Sequence, residues 1–229
     1  MPNIYAHNGD ANIYKLDSTW STARDSNTGT ALFTSQGYTT DAVICTFAKS
    51  NYTCTRAFFY FDTSAITQVA PSAASLKIRG YSNSSARLYV VKGTHGSSLS
   101  TANFDSIEGW VDATDNTSNV TKYVDSEVTS WSVIGYNVMI LNAQARQDML
   151  DNDGLAVVLI QSTHDLANSA PTDATQKNGL HWSDTLSLSN RPNIDYTAGV
   201  ASTQGYEDNR TTTITTSNLT LAGGNVTIK

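Results

Sequence analysis

The chain has 229 residues, a formal charge of −6 and only 15% charged residues. An acidic balance with no block of basic residues argues against a nucleic-acid or basic membrane-surface role, and no apolar run approaches the ~20 residues that span a bilayer. Ser, Thr and Asn supply 76 residues against three Glu and seven Lys, which disfavours an all-helical protein.

In chain order, the first ten residues carry neither the basic nor the apolar region of a secretory leader. Short apolar or alternating runs then recur between Gly, Ser, Asn and Asp clusters, the pattern of strands and turns. Strands are predicted at 12–16, 31–34, 42–48, 53–62, 76–81, 86–92, 119–123, 136–141, 155–161 and 193–197. Leu76, Ile78 and Gly80 alternate with Lys77 and Arg79, which marks a half-buried strand. Phe58, Phe59, Tyr60 and Phe61 are apolar on both faces and predict a central strand, as do Val157, Val158, Leu159 and Ile160. One short helix is predicted at 143–150, with Asn142 as its N-cap. The turn residues Asp151, Asn152, Asp153 and Gly154 follow.

These elements predict an all-β fold over residues 1–199: a two-sheet antiparallel β-sandwich, jelly-roll-like, with one short helix. Composition shifts in residues 200–229, where ten of thirty are Thr or Ser. This arm reads either as a disordered tail or as a hairpin around Gly223 and Gly224 with an apolar face of Leu219, Leu221, Val226 and Ile228. A lone hairpin is marginal in water, so that face needs this domain, a sister subunit or a larger assembly to cover it. Cys45 and Cys54 lie on predicted strands either side of a turn, with the parity for facing side chains. A disulfide and two free buried thiols both fit.

The catalytic signatures are missing. There is no GxxxxGK[ST], GxGxxG, GxSxG or HExxH. His164-Asp165 and His181 with Ser183-Asp184 supply the letters of a triad without a nucleophile elbow. The Asp residues sit mostly in Asn/Gly/Ser turns, where they cap backbone rather than pair as glycosidase carboxylates. In the EF-hand frame ending at Gly154, Met149 takes the first ligand position and Ile160 the twelfth, so that reading fails. A looser structural calcium site stays open, and no other cofactor is expected. Trp110, Trp182 and the neighbouring His181 sit in polar stretches and are the candidate sugar-stacking residues, while a partly buried ring finishing a core edge fits each Trp as well.

The run Arg56-Ala57-Phe58-Phe59-Tyr60-Phe61-Asp62-Thr63-Ser64-Ala65-Ile66 resembles the core strand of DNRLRE-type domains, β-sandwiches grouped with carbohydrate-binding modules. Four further segments agree in order: Trp20–Arg24 with Gly29, Ala74–Ile78, Tyr136–Asn142 and Arg191–Tyr196. The resemblance implies a non-catalytic module of surface, glycan-handling or phage structural proteins. Here the module fills nearly the whole chain, and the arm lies outside the pattern. The expectation is therefore a non-enzymatic bacteriophage virion protein, a head-decoration (cement) or fibre-like accessory on the virion surface. Its arm would bind capsid, tail or sister subunits, and host or environmental glycans remain further partners. The alternative is a glycan-binding module or adhesin.

Overall fold

Alternating residues form strands here wherever one face can be buried, and the computed structural model describes residues 2–34, 37–173, 177–185 and 187–200. The predicted hairpin residues Leu219, Leu221, Val226 and Ile228 lie outside the described residues. Eleven strands and two α-helices follow in chain order: β1 Asn3–Tyr5, β2 Ala11–Asp17, α1 Trp20–Asp25, β3 Ala31–Thr34, β4 Tyr38–Ala48 and β5 Asn51–Asp62. Then come β6 Ala73–Ser84, β7 Leu88–Lys92, β8 Tyr136–Ile140, α2 Ala143–Asp151, β9 Gly154–Gln161, β10 Lys177–His181 and β11 Asn193–Thr197.

The fold is all-β and antiparallel. The strand order is β1-β11-β6-β10-β4-β5-β2-β3, with β8 on β6, β9 on β5 and β7 on β9. β5 has β2 along one edge. Along the other it pairs first with β4 and then, from Ala57 onward, with β9. β6 is divided in the same way, its first half between β11 and β8 and its second half on β10. Hydrogen bonding thus joins the eleven strands of the described residues into one network through β6.

Both faces of β5 are buried, as its unbroken aromatic run predicts. Phe59 and Phe61 enter a core with Leu76, Ile78, Met139, Leu180, Trp182 and Ile194. Phe58 and Cys54 enter a second core with Val158, Ile160, Phe104 and Ile107. Burial of a large apolar side chain contributes about 1.5–3 kcal/mol, so this strand anchors the domain twice over.

The predicted strand at 119–123 does not form. Those residues belong to a long irregular connection between β7 and β8, and they meet β7 through Lys92 N–H to Thr121 O and Tyr123 N–H to Val90 O. Gly80 is where this connection crosses β6: a Cβ there would collide with the Ser132 carbonyl. α2 matches its prediction, with the Asn142 side chain accepting from Ala145 N–H. α1, β1 and β10 have no strong sequence signal. β10 reads Lys-Asn-Gly-Leu-His, a poor strand former, and exists because β4 and β6 flank it.

Candidate functional site

The sequence places an arginine in the middle of the most apolar strand, and the structure supplies the charge that tolerates it. Arg56 on β5 is fully buried and grips Asp165 with two hydrogen bonds, Nε to Oδ2 at 2.8 Å and Nη2 to Oδ1 at 2.7 Å. Its other donors reach the Phe104 and Arg24 carbonyls at 2.7 and 2.9 Å. The guanidinium lies between the rings of Phe104 and Trp110, 4.2 and 4.1 Å from their centroids. Arg24, at the end of α1, stacks 4.5 Å from the same Trp110 ring and donates to the Asp165 and Thr114 carbonyls. Burial lowers the Arg24 pKa, against the pull of Asp165 and Asp25. This network ties α1, β5, the β7–β8 connection and the single π-turn Ser162–Leu166 to one point. Every strong donor is spent internally, which suits a structural lock.

A second cluster sits where the connection meets α2. Lys92 Nζ lies 3.0 Å from Glu108 Oε2 and 3.1 Å from Asp148 Oδ2, and Tyr123 donates to that same Asp148 oxygen at 2.8 Å. Burial alone would lower the Lys92 pKa, but the two carboxylates outweigh it and raise it. Burial, then the Asp148 carboxylate, raises that of Tyr123. None of the described grooves is lined by these residues. The two carboxylates share one lysine.

Two isolated buried groups carry opposite pH dependence. Burial pushes the Asp10 carboxyl up to about 7 even though Ser183 donates to it twice. Burial pulls His95 down to about 4, with Nε2 on the Phe59 carbonyl and Nδ1 unpartnered. Folded Asp10 keeps a proton that an unfolded chain releases near 3.8, so its stabilisation is full at low pH and lost as pH rises through 7. Folded His95 stays neutral where an unfolded histidine charges near 6.5, so its stabilisation is full above that and lost as pH falls through 4. The two slopes oppose one another over the same window. Asp10→Asn is expected to unmask the histidine, so that urea stability falls more steeply from pH 6.5 to 4 than in the parent chain. Parallel profiles would contradict this.

The predicted ligand residues are not brought together. Trp182 is 2% exposed and stacks on Phe59 with centroids 5.5 Å apart, so it is a core residue and not a sugar platform. Trp110 is half-buried under the two guanidiniums, and its indole N–H goes to Asp112. Only His181 reaches an open face. There it meets Tyr38 on β4 and Tyr81 on β6, ring centroids 5.9 and 5.4 Å away, and the two tyrosines stack at 3.8 Å. Tyr38 and Tyr81 are 48% and 36% exposed. A hydrogen bond with Tyr38 raises the Tyr81 pKa. Burial, then the Arg79 charge, lowers that of His181. Sequence reasoning missed the tyrosines, although the alternation of β6 that puts Lys77 and Arg79 outward also puts Tyr81 outward.

Cys45 and Cys54 face each other across β4 and β5, Cα atoms 4.3 Å apart, and are joined as a disulfide. With Asp165 they form the one His/Cys/Asp/Glu group close enough to share an ion among the described residues. Its sulfurs are bonded to each other and its carboxylate holds Arg56, so it offers no metal a free ligand set. In the turn after α2, where the EF-hand frame fails, the Asn152 and Asp153 carbonyls accept from the Thr63 hydroxyl and N–H. His164 turns to the Ser169 carbonyl, away from Asp165. Neither triad arrangement forms. No protein-family model and no curated protein matches this chain.

Proposed function

We propose that this chain is a non-enzymatic surface component of a bacteriophage particle, a head-decoration or fibre-like accessory attached through its C-terminal arm. The observation that carries the reading is the internal use of charge. Arg24, Arg56 and Asp165 are all buried and all satisfied, and they fasten a long irregular connection to a two-cored β body. Such a body keeps an exposed scaffold in shape. The polar composition and the five segments resembling DNRLRE-type domains support the same reading. Quantitative mass spectrometry of gradient-purified particles from a lysing culture tests it. A fixed copy number per particle is expected; recovery in the unassembled fraction alone would overturn it.

The exposed Tyr38 and Tyr81 rings, with the half-buried His181 beside them, favour glycan binding as a second reading, since sugar C–H faces stack on such rings. Tyr38→Ala and Tyr81→Ala are each expected to weaken polysaccharide binding about tenfold, or 1.4 kcal/mol. Thermal stability should move little, because both rings are substantially exposed. Unchanged binding in both variants removes this reading.

A further inference from the structure

We propose that the free edge of β8 is the acceptor strand for the C-terminal arm of a second copy of this chain. The inference rests on the attachment role given above to the arm, and names the surface that receives it. Among the described residues β8 pairs with β6 alone. Leu141 N–H donates to Ala74 O and Gly80 N–H to Gly135 O, which fixes the phase of the ladder. The backbone groups of Asn137 and Met139 therefore face β6, and those of Tyr136, Val138 and Ile140 face outward from the sheet edge. Along that edge runs a groove of about 760 Å³, walled by residues 124–132 on its far side. Val138 and Ile140 are 57% and 76% exposed there, and nearby Ile134 is 83% exposed. Proteins ordinarily guard such an edge with Lys, Pro or a bulge. β8 reads Tyr-Asn-Val-Met-Ile and has no such guard.

The arm has the matching pattern. Leu219-Thr220-Leu221 and Val226-Thr227-Ile228 alternate at strand period, so either would set two aliphatic side chains beside Val138 and Ile140. The chain also leaves the body in the right place. Thr197 pairs with Ala73 at the end of β6 where Ser75 pairs with Ile140, about 10 Å or two strand spacings away. Residues 201–218 can extend to roughly 60 Å. That is several times what the arm's own β8 requires, and it exceeds the width of a body whose radius of gyration is about 16 Å. An arm of this length suits a neighbour's edge.

Two full-length variants test the exchange. Val138→Pro removes an outward N–H and leaves the β6 ladder intact, so it kills the acceptor and keeps the arm. Replacing Leu219, Leu221, Val226 and Ile228 by Ser kills the arm and keeps the acceptor. Light scattering behind gel filtration is expected to show an oligomer for the parent chain and a monomer for each variant. The two variants mixed one to one are expected to form dimers, in which Val138 and Ile140 amides of the acceptor exchange at least tenfold more slowly. Oligomers that survive Val138→Pro place the arm elsewhere and overturn the proposal, while particle attachment stands. A parent chain that is monomeric with slowed β8 amides means its own arm fills the edge, which also overturns it. A protein absent from purified particles sinks the particle reading whatever the mixing experiment shows.

Discussion

Arg56→Ala is expected to cost about 3–5 kcal/mol, because it removes both hydrogen bonds that the buried Asp165 carboxylate accepts from Arg56, leaves it only the more distant Arg24, and opens the space between Phe104 and Trp110. Domains of this size are stable by roughly 5–15 kcal/mol, so the variant should lose a large share of its stability. Urea titration gives the loss as a lowered midpoint. Arg56→Met combined with Asp165→Leu should lose less than Arg56→Ala alone, since no charge is then left unpaired. A single-variant loss under about 1 kcal/mol would mean that Asp165 finds water or another partner, and that the connection is not fastened there.

Trp182→Ala is the second large effect, with an expected cost of about 3–5 kcal/mol from the lost ring and the cavity beside Phe59. Trp182→Phe should recover part of it. The same substitution separates two roles for the residue. A ligand-stacking tryptophan would lose binding and keep stability; a core tryptophan loses stability first. Unchanged stability with lost polysaccharide binding would return Trp182 to the ligand role that its polar neighbours suggest.

The all-β class and the central place of β5 were legible because alternation and unbroken aromatic runs report burial directly. Helix α2 was legible through Asn142. β10 was not, because its strand state comes from two flanking strands and not from its own residues. The segment 119–123 misled for the converse reason: Val120 is buried in the second core and Tyr123 in the first, but both sit on loop backbone that meets β7. The site was harder to read. Polar neighbours made Trp182 look exposed, whereas Ser183 beside it is itself buried on Asp10. Tyr38, Tyr81 and His181 converge only because β10 lies between β4 and β6, a pairing no local pattern announces. The charge network left one trace in the sequence, an arginine between Thr55 and Ala57 in an otherwise apolar strand. Its partner lies 109 residues away in the chain.

Side-chain NMR of the Arg24 and Arg56 Nε–H groups tests most directly whether these charges are architecture. Both groups should give sharp signals that exchange with water over hours and do not shift when polysaccharide or particle is added. Rapid exchange, or shifts on ligand addition, would mean that solvent and ligands reach the network, and that the protein carries a binding site where a structural lock is described.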